Sequence, residues 1–241
     1  MRVDRTDYDD AAARIVSWGG RRESRYVCVA SVNNVMESRG SEAFRQIMNA
    51  ADLVTSDGMP LVWSLRLLGL RQATRVYGPD LTPILCERAA AAGVPVGFYG
   101  GTPEVLESFI GNLKARFPGL QVVYRFAPPF RAPTEEEDSQ VDREIIESGA
   151  GIIFVGLGTP KQEQWMAARR GKVPAVMVGV GAAFDFLAGK KKQAPHLMQR
   201  MGLEWLFRLC SEPRRLWKRY LYRNPRFVFL LAKQLATEPR N

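Results

Sequence analysis

Short, continuous apolar runs alternate with segments of helical periodicity along most of this chain. Runs of strand length are predicted over residues 26–31, 53–55, 94–99, 120–126, 152–155 and 175–180. Helical patterns are predicted between them, over 33–50 with an interruption near residue 40, 60–68, 80–92, 103–117, 134–148 and 160–170. Strands that are apolar at every position are typical of a parallel sheet buried on both faces. The sequence therefore predicts an α/β fold, with a mostly parallel sheet flanked by helices, after a polar N-terminal stretch that is assigned no element.

Two of the predicted helices have clear start signals. Thr102 precedes Pro103, and threonine is a good N-cap while proline is tolerated in the first helical turn. Thr134 is followed three residues later by Glu137, which is the spacing of a capping box. The segment 127–133, which contains three prolines, is predicted to be a loop before that helix.

The basic character of the chain is confined to its C-terminal fifth. The protein has 241 residues and a formal net charge of +9. Residues 1–188 contain 21 Lys and Arg against 22 Asp and Glu, whereas residues 189–241 contain 13 against 3. The sequence therefore predicts a nearly neutral α/β body over residues 1–188 and a basic helical appendage over residues 189–241.

Simpler features exclude several classes of protein. No run approaches the roughly 18 consecutive apolar residues of a membrane-spanning helix, and the N-terminus lacks the apolar core of a signal peptide, so we expect a cytoplasmic location. Cys28, Cys86 and Cys210 are odd in number and widely spaced, which argues against a disulfide framework and a metal knuckle. With His196 as the single histidine, acid–base chemistry should fall to carboxylates.

Glycines stand at or just after the ends of several predicted strands, at Gly100, Gly101, Gly156, Gly158, Gly179 and Gly181. In parallel sheets ligands bind beyond the carboxyl ends of the strands, and glycine lets the backbone approach a phosphate. Tight turns from strand to helix also use glycine for structural reasons alone. None of these loops has the spacing of a Walker A loop or a GxGxxG motif, which favours a nucleotide or sugar phosphate over a nicotinamide cofactor.

The appendage contains one strongly amphipathic segment, Arg214–Arg223, which is predicted to be a helix that ends at Asn224-Pro225. Its basic residues spread over one side of a helical wheel, and the other side carries Leu216, Trp217, Tyr220 and Leu221. Such a helix suits an anionic membrane interface. It could equally pack on the body with a solvated basic face, and its charge also fits duplex nucleic acid.

Five short motifs occur in order along the chain: SVN at 31–33, SDGMP at 56–60, RVYGPDL at 75–81, GLGTPKQEQW at 156–165 and GVGAAFD at 179–185. Together with the tail segments at 202–206 and 212–215, they closely resemble the WecG/TagA/CpsF family, glycosyltransferase family 26. The resemblance spans about residues 25 to 230.

The resemblance implies a Rossmann-like body and an enzyme that works without a metal or another cofactor. It would move a sugar from a UDP-sugar to a polyprenyl-diphosphate-linked saccharide, inverting the anomeric carbon to form a β-linkage in cell-envelope or exopolysaccharide synthesis. It would be a peripheral protein on the inner face of the cell membrane, bound through its basic tail, with no nucleic-acid partner. The donor sugar, the acceptor sugar and the oligomeric state do not follow from the resemblance.

By the resemblance, three residues are catalytic. Asp57 matches the family's general base, Arg75 matches an arginine that would stabilise the departing diphosphate, and Gln162 matches an active-site glutamine. An ion pair with Asp80 is the alternative role of Arg75. The substrate-binding residues implied in the body are Ser31, Asn33, Gly100, Gly158, Gly181 and Asp185.

In the appendage, the resemblance assigns Arg208 and Arg215 to the diphosphate of the donor or the acceptor, with Lys218 or Arg219 completing the cluster. Arginine suits phosphate better than lysine, because its planar fork donates two parallel hydrogen bonds. The chain departs from the family at Gln193, where many relatives carry arginine, which puts a charge role at that position in doubt. Two other interpretations stay open on the residues alone, an α/β nucleotide-binding enzyme of another class and a nucleic-acid-binding module with a basic tail.

Overall fold

Six parallel strands form a single sheet in the computed structural model, which describes residues 1–237 except for the side chain of Arg219. The strands are β1 (Arg25–Ala30), β2 (Leu53–Ser56), β3 (Val96–Gly100), β4 (Val122–Phe126), β5 (Ile152–Gly156) and β6 (Val176–Gly179). Their order across the sheet is β2-β1-β6-β5-β3-β4, and every neighbouring pair is parallel. The predicted α/β fold is confirmed, and it is Rossmann-like.

Helices cover both faces of the sheet. In the body these are α1 (Tyr8–Gly20), α2 (Val32–Gly40), α3 (Glu42–Ala50), α4 (Met59–Leu67), α5 (Gly78–Ala92), α6 (Pro103–Arg116), α7 (Glu135–Ser148), α8 (Lys161–Arg169) and α9 (Ala183–Leu187). Alternate strand residues feed two separate cores, because successive side chains of a strand point to opposite faces. In β1, Val27 and Val29 pack with α1, α5 and α6, whereas Tyr26 and Cys28 pack with α3, α7 and α8.

Both predicted helix starts are present. The Thr102 hydroxyl accepts a hydrogen bond from the backbone N–H of Val105, and Thr134 and Glu137 form the expected capping box. Arg131 in the preceding loop forms an ion pair with Glu137, and this lowers the pKa of Glu137 to about 2. The loop 127–133 is therefore tied at its C-terminal end to the first turn of α7.

The N-terminal stretch is a helix, α1, which the sequence analysis missed. Asp7 caps it by accepting a hydrogen bond from the Asp10 N–H, and its buried face packs on α5. That face consists of Ala11, Ala12, Ile15 and Gly19. Small residues give little hydropathy contrast, so the periodicity is hidden although the face is fully buried.

The appendage is helical throughout its described part. It contains α10 (His196–Arg200), α11 (Glu204–Ser211), α12 (Pro213–Trp217), a π-helical turn (Lys218–Arg223) and α13 (Asn224–Thr237). Phe227 of α13 packs against Val32 and Met36 of α2, so the appendage returns to the body.

The prediction that the amphipathic helix ends at Asn224-Pro225 is wrong, since α12 runs through the π-helical turn into α13. Pro225 stands in the first turn of α13, directly after the π-helical turn, which shifts the hydrogen-bond register of the helix. The predicted apolar face is also divided. Leu216 and Tyr220 are buried, whereas Trp217 and Leu221 are about half exposed.

Replacing Gly100 by alanine should lower the free energy of unfolding for two reasons, the strain of a positive φ angle and a steric clash with Gly156. Gly100 has a φ of +130°, and an added Cβ would lie 2.7 Å from the carbonyl carbon and oxygen of Gly156. Gly171 is the matched control, because its φ is +80° but an added Cβ would meet nothing within 4 Å. We expect roughly 1 kcal/mol for Gly171→Ala and roughly 2–4 kcal/mol for Gly100→Ala in urea unfolding. Equal losses would contradict the close approach of β3 and β5.

Candidate active site

The loops that follow β1, β2, β5 and β6 meet at the carboxyl edge of the sheet. Because all strands are parallel, these loops lie on one edge, where ligands of open α/β sheets bind. Gly158 and Gly181 have φ values of +76° and +56°, a region that favours glycine. The glycines therefore shape the turns from β5 to α8 and from β6 to α9.

Three adjoining spaces open at this edge. The outer cleft, of about 640 Å³, lies between the ends of β3 and β5 and the loop 127–133. The inner cavity, of about 120 Å³, lies between the ends of β1, β2, β5 and β6. The appendage pocket, of about 80 Å³, lies between the loop after β2 and the appendage. Gly158, Gly181 and Arg215 line both the outer cleft and the inner cavity, and Ser31, Asp57 and Arg208 line both the inner cavity and the appendage pocket.

Asp57 stands where the inner cavity meets the appendage pocket. Its backbone N–H donates to the carbonyl oxygen of Ala30 at 2.7 Å, which fixes the loop after β2 to the end of β1. Its own carbonyl accepts from Arg75 Nε at 2.6 Å. The backbone at this carboxylate is therefore held on both sides.

Arg75 connects the Asp57 loop to the appendage. Its guanidinium donates to Gln199 Oε1 at 3.0 Å and forms an ion pair with Glu204, rather than with Asp80. Burial by itself would lower the pKa of Arg75, but the carboxylates of Asp57 and Glu204 raise it above the usual value. Arg75 is thus a charged group that joins α10 and α11 to the body.

Gln162 bridges two glycine loops. Its side-chain oxygen accepts the N–H of Gly158 at 3.2 Å and the N–H of Gly181 at 3.0 Å. Its amide nitrogen donates to Glu163 Oε1 at 3.1 Å. The two glycine amides that the sequence assigns to substrate therefore bind the Gln162 oxygen in this structure.

Glu163 is a buried member of this group that the sequence analysis missed. Besides Gln162, its Oε1 accepts from Asn34 Nδ2 at 2.8 Å and from the Thr159 hydroxyl at 2.9 Å. Burial raises the pKa of this carboxyl above its usual value, although these hydrogen bonds act in the opposite direction. The spacing of the sequence could have predicted its burial. Glu163 and Met166 are three residues apart in α8, so they lie on the same face of the helix, and Met166 is apolar.

Ser31 and Asn33 are both held in place at the start of α2. The Ser31 hydroxyl donates to Asn34 Oδ1 at 3.1 Å within a capping box. Asn33 Oδ1 accepts at 2.7 Å from Arg223 of the appendage, which also forms an ion pair with Glu37. Arg223 is a further site residue that the sequence did not single out, since its partners are 186 and 190 positions away.

The other predicted residues divide by position. Arg208 lines the inner cavity and the appendage pocket, with its guanidinium 5.5 Å from the Phe186 ring, and Arg215 pairs with Glu212 beside the outer cleft. Asp185 lines the outer cleft and pairs with Lys191 at 3.0 Å.

Gly100 is buried behind the cleft against Gly156. Lys218 is exposed, with its Nζ 5.5 Å from the Trp217 ring and away from the described lining of these three spaces. Arg219 was predicted to bind substrate, and its side chain lies outside the described residues.

Comparison with known protein families identifies the class of this protein. A sequence model of the Glycosyl transferase WecG/TagA/CpsF family matches residues 1–241, the whole chain. The chain belongs to the WecG/TagA/CpsF glycosyltransferase family. As a glycosyltransferase, it must bind both a sugar donor and an acceptor.

The described part of the glycosyltransferase contains neither a membrane-spanning helix nor a cluster of metal ligands. Among residues 1–237, no helix is both long and apolar enough to cross a membrane. Within that same range, no three His, Cys, Asp or Glu side chains are grouped as ligands for a metal ion.

Replacing Glu163 by glutamine should change how the stability of this glycosyltransferase depends on pH. Because folding raises the pKa of Glu163 above 4.5, its stabilising contribution is complete below that value and is lost as the pH rises through the folded-state pKa. A glutamine side chain at this position cannot ionise, so the variant should gain stability relative to the native protein with rising pH, by up to about 1.4 kcal/mol per pH unit. Urea unfolding over a pH series measures this.

Glu107→Gln, at an exposed position of α6, is the matched control and should follow the native curve. A constant difference between Glu163→Gln and the native protein across the series would contradict the raised pKa.

Proposed function

We propose that this glycosyltransferase transfers a hexose from a UDP-sugar to a polyprenyl-diphosphate-linked saccharide. The transfer inverts the anomeric carbon, gives a β-linkage and needs no metal ion. It takes place at the inner face of the cell membrane and contributes to cell-envelope or exopolysaccharide synthesis. The donor side of this proposal is supported by the charges of the site, and the acceptor side by the chemistry of the appendage.

The observation that carries the proposal is the position of Asp57. Among the described residues that line the inner cavity, Asp57 is the one carboxylate, and Arg208 and Arg215 are the cations. A carboxylate at this position is suited to take a proton, while the arginines are suited to a leaving group that gains negative charge. An inverting displacement needs both kinds of group near one reaction centre.

In the proposed step, the acceptor hydroxyl attacks the anomeric carbon while Asp57 takes its proton. The bond from that carbon to the diphosphate oxygen breaks with its electron pair, and UDP leaves as an anion. Arg208 and Arg215 stabilise the diphosphate in place of a metal ion. Arg75 holds the Asp57 loop in position through the hydrogen bond to the Asp57 carbonyl oxygen.

The outer cleft is the proposed place of the UDP part of the donor. Its volume of about 640 Å³ falls in the range of roughly 300–1,000 Å³ that is usual for small-molecule sites. The charged residues that line it are Arg131, Lys161, Lys191 and Arg215 against Asp185. This excess of cations favours an anionic ligand. We assign the glycine loops at 156–158 and 181 to the part of the cleft nearest the diphosphate.

The appendage is the proposed membrane contact of the enzyme. Residues 189–241 carry 10 more basic than acidic side chains, and Trp217, Leu221 and Tyr222 are exposed beside them. Exposed aromatic and basic side chains on one helical segment suit an anionic lipid interface. We therefore propose a catalytic body over residues 1–188 and an appendage over 189–241 that completes the site where the lipid-linked acceptor is held.

The direct test of the proposal is a UDP-release assay over a panel of UDP-sugars with a synthetic polyprenyl-diphosphate-linked acceptor. One donor should give release that depends on the acceptor and persists in the presence of a metal chelator. Nuclear magnetic resonance of the product should show a β-linkage. Absence of transfer from every UDP-sugar, with transfer from another nucleotide sugar, would contradict the proposed donor class.

Replacing Asp57 by asparagine should remove the base and keep the shape of the site. We expect turnover to fall by about 10²–10⁴-fold, with donor affinity nearly unchanged in calorimetry. Glu107→Gln controls for a neutralised carboxylate outside the site. A turnover rate like that of the native enzyme would exclude Asp57 as the general base.

Ending the chain after Ala188 should leave a folded body without transferase activity. The cut removes Arg208 and Arg215. It also removes Gln199 and Glu204, which are the appendage partners of Arg75. It leaves both cores intact, since their buried residues end at Ala188. Circular dichroism should show cooperative unfolding, while the UDP-release assay with lipid-linked acceptor should show no turnover. Full activity of the truncated chain would contradict the role of the appendage.

A further inference from the structure

Four large apolar side chains are exposed between the middle of α4 and the turn that follows it. Trp63, Leu67, Leu68 and Leu70, here called the hydrophobic tip, expose 40%, 50%, 42% and 40% of their surface. They belong to the body rather than to the appendage. Exposed apolar residues in one cluster indicate an interaction surface, whereas single ones are ordinary.

An ordered turn holds the hydrophobic tip in place. The N–H of Leu70 donates to the Leu65 carbonyl at 2.9 Å and the N–H of Gly69 to the Arg66 carbonyl at 3.2 Å. With a φ of +101° at Gly69, this is the Schellman arrangement that ends a helix. Arg66 also donates to the Ala73 carbonyl at 3.0 Å, which closes the following turn. The leucines are therefore displayed by a fixed backbone and not by a frayed helix end.

The chain segment that carries the hydrophobic tip is basic. Arg66 and Arg71 are exposed on either side of its leucines, and no acidic residue occurs between Asp57 and Asp80. Apolar side chains flanked by arginines match a bilayer whose headgroups are anionic. A symmetric contact between two copies of the chain would instead bring like charges together.

The hydrophobic tip lies close to the proposed acceptor side of the site. Met59 and Pro60, in the first turn of α4, line the appendage pocket together with Asp57. Met59 and Leu67 are the two ends of α4, eight residues apart, which is about 12 Å at 1.5 Å per residue. Trp63 also packs on the appendage, because a Cβ added at Gly202 would lie 2.5 Å from its ring.

We propose that the hydrophobic tip inserts into the headgroup region of an anionic bilayer and forms a membrane contact on the body, separate from that of the appendage. This inference rests on the proposed function, in which the acceptor is held by a membrane. Two separate contacts fix the orientation of a protein on a surface, which one contact does not. The tip would thereby keep the appendage pocket at a constant position relative to the lipid.

A polarity-sensitive fluorophore on the tip tests the insertion directly. The full chain with Cys210→Ser removes the exposed thiol, while Cys28 and Cys86 are buried. A label at Leu70→Cys should shift to the blue when vesicles of phosphatidylcholine and phosphatidylglycerol are added. A label at Ile146→Cys, a position on α7 with the same exposed fraction of 40%, should not shift.

No shift at position 70 would overturn the proposal. The proposed function is tested separately, by UDP release with the lipid-linked acceptor, so the two can fail independently.

The double variant Leu67→Ser/Leu70→Ser tests the contribution of the tip to binding. We expect its affinity for the same vesicles to fall about tenfold or more, since two leucines no longer leave water. Activity on a short-chain, water-soluble acceptor should not change. The matched control is Val123→Ser/Ile146→Ser, at two positions that are each 40% exposed and lie outside the tip.

Unchanged vesicle affinity of the double variant would contradict the insertion. Sedimentation velocity without lipid tests whether a second copy of the chain, rather than a bilayer, covers the hydrophobic tip. A native dimer that the double variant converts to a monomer would show that the tip binds a second copy of the chain, and would also overturn the proposal.

Discussion

The side-chain oxygen of Gln162 accepts hydrogen bonds from the amides of Gly158 and Gly181, and its amide nitrogen binds Glu163. Glu163 in turn binds Asn34 at the start of α2. One small polar group thus connects the loops after β1, β5 and β6, the strands at the centre of the sheet. The inner cavity depends on it, because its walls are these loops. The group is buried, where an unpaired polar atom costs more than in water, so the loops keep a single arrangement.

Arg75 plays the corresponding part between the body and the appendage. It binds the Asp57 carbonyl on one side and Gln199 and Glu204 on the other. A movement of α10 and α11 would therefore be transmitted through Arg75 to the loop that carries Asp57. A second connection runs from Arg223 in the π-helical turn to Asn33 and Glu37 in α2, the helix that follows β1. Two arginines thus connect the appendage to the loop after β2 and to α2.

The charges of the protein fall into two groups. Arg208 and Arg215 face the inner cavity, whereas Arg66 and Arg71 flank the hydrophobic tip on the surface. Arg208 is partly buried, so it acts on a ligand through a medium of lower dielectric constant, whereas exposed cations such as Arg215, Arg66 and Arg71 are screened by water and salt. The cations proposed to stabilise the diphosphate therefore come from the appendage, while the body also contributes cations to the proposed membrane contact.

The sequence by itself determined the parallel α/β fold, the helix caps at Thr102 and Thr134, and the ordered motifs that identify the family. These are local patterns of hydropathy and residue type, which are legible without contacts. Tertiary structure decided the order of the strands, the helix α1 with its small-residue face, and the passage of α12 through a π-helical turn into α13. It also decided the partners of Arg75, Glu163 and Arg223, which lie far away in the chain. Such pairings depend on which loops come together at the edge of the sheet. The periodicity of the sequence describes only neighbouring residues, so it does not predict these contacts.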